Sequence, residues 1–172
     1  MEQTYVIENC KSFNARDIFE CGQCFRWNVQ EDGSYTGIFG KNVLNVKQEP
    51  TGKVMITGIC DGDINEVCRK YFDLDRDYEA IKEKLTNIDE YMKESIKYGE
   101  GIRILNQDLW EMIISFIVSA NNNIPRIKGI IDRMSKKYGI CIVFRGQEYY
   151  TFPTPEALAT ASMEDLRALG LG

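Results

Sequence analysis

Residues 107–126, QDLWEMIISFIVSANNNIPR, contain the pattern on which the predicted fold depends. The run from Gln107 to Ala120 is apolar on most sides of a helix, which predicts a buried central helix. Three asparagines at 121–123 interrupt the run, and because Asn favours helix caps and left-handed backbone, they predict a joint between two helices. Pro125 then falls in the first turn of the next helix, where its missing N–H costs nothing.

The chain after the joint is also predicted to be helical. Apolar residues recur at helical spacing until Gly139, where the helix is expected to end: Ile127, Ile130, Ile131, Met134 and Tyr138. Two further short helices are predicted to begin at the N-cap signals of Thr154 and Ser162, and the second of them to end at Gly170.

The first third of the chain is predicted to be a β-sheet. Short apolar runs at residues 24–29, 35–39, 43–46 and 54–56 alternate with turn signals, a pattern typical of an antiparallel meander. Such a sheet twists and exposes one face that helices can cover.

From Asp63 onward the apolar period becomes helical, and charged helices follow over residues 78–85 and 88–98. We therefore predict an α+β fold. A twisted antiparallel sheet with covering helices is expected over residues 1–104, followed by a helical domain over residues 105–172.

Composition restricts the available chemistry. The 172 residues carry a net charge of −5, which argues weakly against a nucleic-acid partner because phosphate contacts require Lys and Arg. A local basic cluster would offset this, and one helix carries Lys128, Arg133, Lys136 and Lys137, although a solvated helix face remains an alternative explanation. The absence of histidine removes histidine-activated nucleophiles and histidine metal ligands.

The sequence has no recognisable signal peptide or membrane span. The N-terminus lacks a basic segment and an apolar h-region, and the longest apolar run, residues 112–118, is too short to cross a bilayer. The six cysteines are scattered and expected to be reduced. We expect a cytoplasmic protein without membrane contact.

Two stretches could carry chemistry, and the first is Cys21-Gly22-Gln23-Cys24. A C-x-x-C pair can be a redox couple or half of a zinc site. The segment runs into a strand-like stretch and no second pair is closely spaced, so two buried thiols in a sheet are the simpler explanation. A third interpretation is that Gly22 lets a flat group approach the backbone closely.

The second stretch is Asn121-Asn122-Asn123-Ile124-Pro125-Arg126. Its simplest interpretation is a helix cap followed by a solvated arginine. Alternatively, short amides at a helix joint project into a groove and bond base edges, while the arginine contacts a base or phosphate in bidentate fashion. Three consecutive asparagines are more than one cap requires, so both interpretations remain open.

Three stretches in chain order carry a family resemblance: Gly22-Gln23-Cys24-Phe25-Arg26-Trp27, Asn121-Asn122-Asn123-Ile124-Pro125-Arg126, and Phe152-Pro153 continuing to Leu169-Gly170-Leu171-Gly172. Together they resemble the 8-oxoguanine DNA glycosylases of the helix-hairpin-helix superfamily, and in particular a bacterial member. The resemblance covers most of the chain. The asparagine triplet followed by arginine is its most specific part, whereas the last stretch is shared with related glycosylases.

The resemblance implies an N-terminal domain similar to half of a TATA-binding protein, packed on a helical glycosylase domain. It implies a monomer that binds double-stranded DNA and flips the damaged nucleotide out of the duplex. The implied reaction is removal of 8-oxoguanine opposite cytosine, with AP lyase activity. No metal ion or organic cofactor is implied.

The resemblance also implies roles for individual residues. The Gly22 carbonyl would accept a hydrogen bond from the N7–H that 8-oxoguanine has and guanine lacks. Asn121 would fill the gap left by the flipped base, and Arg126 would read the orphaned cytosine. Supporting roles are implied for Asn122 and Asn123, which shape and cap the joint at the DNA, and for Gln23, Phe25 and Trp27 in the pocket wall.

The family's catalytic residues are expected beyond Gly172. They are a lysine, whose amine attacks the anomeric carbon and forms a Schiff base, and an aspartate. Lys128, Lys136 and Lys137 have no nearby acid or hairpin signature, so we assign no catalytic residue within residues 1–172.

Three alternatives remain. The first is a module that binds damaged DNA without catalysis. The second is an alkylated-base glycosylase of the same superfamily, although those enzymes usually lack the asparagine triplet with its arginine. The third is a cytosolic redox protein that uses the CGQC stretch.

Overall fold

The computed structural model describes residues 1–8, 10 and 12–171, and its α+β architecture confirms the predicted fold class. Gly172, the last residue of the Leu-Gly-Leu-Gly stretch, lies outside the described residues. The strands are β1 (Gln3–Ile7), β2 (Trp27–Val29), β3 (Tyr35–Phe39), β4 (Asn42–Gln48), β5 (Val54–Ile59), β6 (Cys141–Phe144) and β7 (Gln147–Tyr150). The helices are α1 (Ala15–Glu20), α2 (Ile64–Tyr71), α3 (Tyr78–Thr86), α4 (Glu90–Tyr98), α5 (Leu109–Ser119), α6 (Ile124–Tyr138), α7 (Pro155–Leu158) and α8 (Met163–Ala168).

The first five strands form one antiparallel sheet in the spatial order β1-β5-β4-β3-β2. The predicted meander corresponds to β2–β5, so the expectation of an antiparallel sheet is confirmed. β1 was not predicted and pairs with β5, for example Tyr5 with Ile56. Its residues are only half-buried or exposed, so it is an edge strand ordered by its neighbour rather than by a strong pattern of its own.

Trp27, only 2% exposed, is at the centre of the sheet's core. Its ring stacks on Phe19 of α1 with 4.0 Å between ring centroids, and its Nε1–H donates to the Tyr71 hydroxyl of α2 at 2.9 Å. Gly37 is its cross-strand partner, and a Cβ there would come within 2.3 Å of the indole ring. The missing side chain therefore provides the space that the indole fills and favours this register of β2 and β3.

The opposite face of the sheet is covered by the β6–β7 hairpin, which the sequence analysis did not predict. Phe144 packs there with Ile38 and Val43. The turn places Arg145 and Gly146 at φ 50° and 78°, as a two-residue hairpin loop requires. Because the hairpin follows α6 in the chain, it attaches the helical part to the back of the sheet.

A second core forms around α5 and α6: Val118, Ile127, Ile130, Ile131, Met134, Phe152 and Leu169. α5, apolar on most sides, was expected to be a buried central helix, and for part of its surface this is wrong, since Leu109 and Phe116 are 73% and 79% exposed. The second core covers only the side of the helix that carries Trp110, Ile114 and Val118. No helix in the described part of the chain, α5 included, is long and apolar enough to cross a membrane.

Arg103, which is 5% exposed, fixes the segment that joins the two parts. Its Nε donates to the Ser12 carbonyl at 2.7 Å, its Nη1 donates to the Asp73 carbonyl at 2.6 Å, and its guanidinium lies 4.4 Å from the centroid of the Tyr78 ring. A buried arginine satisfied by main-chain carbonyls is costly to move, because each of those groups would lose its partner. We place the proposed domain boundary directly after it, at residue 104.

Gly37→Ala is expected to destabilise the protein strongly, because the strand and the indole of Trp27 must separate to admit a methyl group. We expect the free energy of unfolding, measured with urea, to fall by about 2–3 kcal/mol, as in overpacked cores. The control is Gly33→Ala, whose Cβ would meet no atom within 4 Å although its φ of +78° is left-handed. The control should lose only about 1 kcal/mol, and equal losses would contradict the packing argument.

Candidate functional site

Gly22 lies in the turn between α1 and β2, beside a cavity of about 260 Å³ with a mainly apolar wall. We call this the Gly22 cavity. It is lined by Gly22, Gln23 and Phe25 of the turn, by the segment leading into α5, and by α5 side chains that include Met112 and Phe116. The cavity therefore lies where the sheet domain meets the helical part.

The conformation of Gly22 leaves its carbonyl available. Its φ of +86° is left-handed, and a Cβ would meet no atom within 4 Å, so glycine is favoured here by the backbone conformation rather than by lack of space. Among residues 12–171, no hydrogen bond uses the Gly22 carbonyl oxygen as acceptor. The turn thus presents an unused acceptor beside an apolar cavity.

The side-chain amide of Gln23 holds this turn in place. Its Nε2 donates to the carbonyls of Ile18 at 2.9 Å and Arg103 at 2.8 Å, and its Oε1 accepts from the Leu105 N–H at 2.9 Å. The Gln23 carbonyl accepts from Gln107 Nε2 at 2.6 Å. Gln23 therefore supports the cavity wall, as the resemblance implied.

Phe25 and Trp27 differ in how they relate to the cavity. Phe25 lines it directly and also packs against the second core. Trp27 lies in the sheet core and does not line the Gly22 cavity. Its support of the cavity wall is therefore indirect.

A buried ion pair, which the sequence analysis missed, connects the turn to α5. Arg26 Nη1 lies 3.7 Å from Glu111 Oε2, with side chains 9% and 12% exposed. Desolvation lowers the pKa of Arg26 and raises the pKa of Glu111, and in each case the partner's charge acts in the opposite direction. Arg26 also donates to the Tyr150 carbonyl of β7. The sequence signal for this pair is Glu111, a single acidic residue within the apolar run of α5.

In the asparagine joint, residues 121–123, two side chains cap helices and the third is exposed. Asn122 Nδ2 donates to the Val118 carbonyl at 2.7 Å and closes α5, while Asn123 Oδ1 accepts from the Arg126 N–H at 3.0 Å and opens α6. Their predicted capping role is confirmed. Asn121 is exposed with φ of 55°, and within residues 12–171 its amide makes no hydrogen bond.

A second cavity, of about 610 Å³, contains all three asparagines together with Arg126, Gly170 and Leu171. Arg126 Nη2 donates to the Gly170 carbonyl at 3.2 Å, and Arg133 donates to the Leu169 carbonyl from Nε at 3.0 Å and from Nη2 at 2.8 Å. The two arginines therefore hold the Leu169–Leu171 turn beside the asparagine joint. Gly22 does not line this cavity, and α5 contributes different residues to the two cavities.

The other basic residues of α6 are engaged in bonds within the protein. Lys136 pairs with Asp132 at 2.9 Å, Lys137 pairs with Asp165, and Lys128 Nζ donates to the Trp27 carbonyl at 2.7 Å. The hypothesis of a broad basic face on this helix is therefore not supported for these lysines. Within the described residues, only the Arg126 end of α6 adjoins the asparagine joint.

The C-x-x-C stretch has the properties of structural thiols. Cys24 is buried, and desolvation raises its pKa to about 12. Cys21 is exposed and its Sγ donates to the Ile18 carbonyl at 3.5 Å. Since the thiolate is the reactive form, Cys24 is poorly suited to act as a nucleophile. In the described part of the chain, no group of three or more potential ligands could hold a metal ion.

Asn123→Ala is expected to lower the free energy of unfolding by about 1 kcal/mol, because α6 loses its N-cap. Asn121→Gly should leave it nearly unchanged, since glycine keeps the left-handed backbone and no hydrogen bond within residues 12–171 is removed. Urea denaturation of both variants measures the difference. A larger loss for Asn121→Gly would contradict this division of roles.

Comparison with known proteins agrees with the architecture. The family model for the 8-oxoguanine DNA glycosylase, N-terminal domain, matches residues 6–113. The N-glycosylase/DNA lyase of Saccharomyces cerevisiae is 31% identical over 174 residues, which cover 91% of this chain and 45% of the yeast protein.

Solved structures of related proteins superpose closely. MBOgg1 in complex with a low-affinity DNA ligand is 45% identical with a TM-score of 0.92, over 98% of this chain and 58% of that one. The Clostridium acetobutylicum 8-oxoguanine glycosylase/lyase, bound to dsDNA containing cytosine opposite 8-oxoG, is 41% identical with a TM-score of 0.92. This match covers 100% of the present chain and 60% of the Clostridium chain. The chain thus spans less than half of the yeast protein and about 60% of these solved relatives. Because the family model matches well over half of its residues, the chain belongs to the 8-oxoguanine DNA glycosylase family.

Proposed function

We propose that this chain is the lesion-recognising part of a base-excision repair glycosylase/lyase that removes 8-oxoguanine opposite cytosine in double-stranded DNA. Family membership supports this proposal, as does the likeness to a relative bound to DNA containing 8-oxoguanine opposite cytosine. The observation that carries it is the unused carbonyl of Gly22 beside a cavity between the two parts of the molecule.

The carbonyl provides a physical basis for discrimination. 8-Oxoguanine carries a hydrogen on N7, whereas guanine has a bare acceptor there. A carbonyl oxygen at Gly22 would bond the first and face the lone pair of the second, a difference of roughly 1–3 kcal/mol. The base must leave the helical stack to reach the cavity, so recognition requires base flipping.

The asparagine joint is proposed to hold the opposite strand. The Asn121 amide makes no bond within residues 12–171 and would occupy the space vacated by the flipped base. Arg126 has five N–H donors, of which one bonds the Gly170 carbonyl, so others remain for the acceptors of the orphaned cytosine. Asn122 and Asn123 contribute to this DNA-binding surface by shaping the joint.

Cleavage of the glycosidic bond by the family's mechanism requires a lysine nucleophile. Among the described residues, no lysine lines the Gly22 cavity. We propose that a lysine amine and an aspartate outside these 172 residues complete the site. The amine attacks the anomeric carbon of the sugar, and the base departs with the electrons of the glycosidic bond. The C1′–O4′ bond then opens, a proton passes from the nitrogen to O4′, and the Schiff base forms. On this proposal the 172-residue chain alone binds lesion DNA without cleaving it.

Gly22→Ala tests the recognition contact. The change should reduce the binding preference for 8-oxoguanine:cytosine over guanine:cytosine duplex by roughly ten- to a hundredfold, because the carbonyl shifts and a methyl group enters the site. Fluorescence anisotropy with both duplexes measures the ratio.

The matched control for that test is Gly52→Ala. Gly22 and Gly52 have φ of +86° and +85°, and a Cβ on either would meet no atom within 4 Å. Both variants should therefore lose a similar free energy of unfolding, about 1 kcal/mol. An equal loss of lesion preference in both would contradict the assignment of Gly22.

Arg126→Ala tests the opposite-strand contact. The variant should bind 8-oxoguanine paired with cytosine and with adenine more equally, with the preference reduced about tenfold because donors to cytosine are lost. Arg133→Ala is the control, since it also removes bonds to the Leu169–Leu171 turn. A control that relaxes opposite-base preference as much as Arg126→Ala would assign the effect to the turn instead.

A further inference from the structure

The Arg26–Glu111 pair has a position that its contribution to stability does not explain. Arg26 follows the Gly22 turn, one residue before Trp27 in the sheet core, and Glu111 lies in the first turn of α5. Glu111 also lines the Gly22 cavity. The pair therefore joins the two cores at the wall of the proposed recognition site.

Burial makes the pair costly to form. The two side chains are 9% and 12% exposed, and no hydrogen bond within the described residues reaches Arg26 Nη1. At 3.7 Å, the Coulomb attraction between Arg26 and Glu111 acts without the gain of a good hydrogen bond. Apolar side chains of similar volume often match or exceed the stability of such a pair. Stability alone is therefore a weak reason for two charges at this place.

The pair differs from the other bonds of the turn in what it contacts. The Gln23 amide, the Gln23 carbonyl and the Cys24 thiol bond to α1 or to the segment 103–107. Within the described residues, the polar bonds of residues 22–26 reach α5 only through Glu111. In the described part of the chain, this contact is therefore the polar tie between the turn and α5, the two walls of the Gly22 cavity, beside the apolar packing of Phe25.

We propose that Arg26 and Glu111 are positioning residues that set the width of the Gly22 cavity, so that the Gly22 carbonyl meets the edge of a flipped purine. This inference rests on the proposed function. The guanidinium acts from a fixed site, because its Nη2 is also held by the Tyr150 carbonyl of β7. Neither residue needs to touch the DNA.

The test is the double variant Arg26→Met plus Glu111→Met, which removes both charges together and avoids leaving one of them buried alone. Its melting temperature should stay close to that of the unaltered protein. Binding to 8-oxoguanine:cytosine duplex should weaken about tenfold. Binding to a duplex with a tetrahydrofuran abasic site opposite cytosine should not change, because that ligand puts no base in the cavity.

A second readout needs no DNA. Amide hydrogen exchange at Leu105, whose N–H donates to Gln23 Oε1 at 2.9 Å, should accelerate about tenfold in the double variant, since the turn that carries Gln23 has lost its attachment to α5. The matched control is Arg145→Met plus Glu2→Met, a 2.6 Å ion pair that joins the hairpin to the sheet away from the cavity. The control should leave both duplex affinities and the exchange of the Leu105 amide unchanged.

The outcomes separate the two proposals. If the unaltered chain shows no preference for 8-oxoguanine, the proposed function fails, and the exchange experiment still decides whether the pair holds the turn. The inference is overturned if the unaltered chain prefers 8-oxoguanine and the double variant binds the 8-oxoguanine:cytosine duplex equally well. It is also overturned if amide exchange is the same in both proteins. Equal weakening toward both duplexes would also overturn it, because the pair would then be merely structural.

Glu111→Gln provides an isosteric second variant in case the double variant does not fold. It keeps an acceptor for Arg26 but removes the charge, so a loss of lesion binding of about two- to fivefold is expected, with abasic binding unchanged. No change in lesion binding or in the exchange of the Leu105 amide would overturn the inference.

Discussion

The whole arrangement depends on the side-chain amide of Gln23, which makes three hydrogen bonds with main-chain groups far apart in sequence. Two of its bonds go to carbonyls, of Ile18 at the end of α1 and of Arg103 in the linker, and the third comes from the Leu105 N–H. An apolar residue here would leave these groups without partners, at a cost that packing does not recover. The amide fixes the Gly22 turn to the linker, and the Arg26–Glu111 pair fixes it to α5.

Within the described residues, the cations of α6 differ in how their charges are offset. Lys136 and Lys137 are offset by carboxylates of Asp132 and Asp165. Arg126, in contrast, bonds a neutral carbonyl, so its charge is not cancelled. It stands at the N-terminal end of a 15-residue helix, whose dipole adds partial positive charge. The net charge of −5 therefore says little about the potential at the asparagine joint.

Features with a local cause were predictable from the sequence. The helix caps at Asp63 and Ser162 could be predicted, because an N-cap residue bonds a backbone N–H only three positions later. The β6–β7 hairpin carried a local signal at Arg145-Gly146 but was overlooked, since its two four-residue runs are short. The Arg26–Glu111 pair and the exposed side of α5 have no local cause. Both depend on which distant elements pack together, and periodicity reports only that a helix is apolar, not which side is covered.

Two left-handed residues leave hydrogen-bonding groups free at two separate cavities, both lined in part by α5. In helices and strands the backbone N–H and C=O groups bond one another, and at helix caps short polar side chains bond the backbone. At Gly22 and Asn121 the backbone leaves both patterns, with φ of 86° and 55°, and one acceptor and one amide stay unused among the described residues. Left-handed φ alone does not identify such a site, since Gly33 and Gly52 have it in ordinary turns. Gly22 differs from them in the cavity beside it and in the buried bonds of Gln23 and Arg26 that hold its turn. Backbone strain that is held in this way is typical of functional sites, and here it leaves the Gly22 carbonyl without a partner among the described residues.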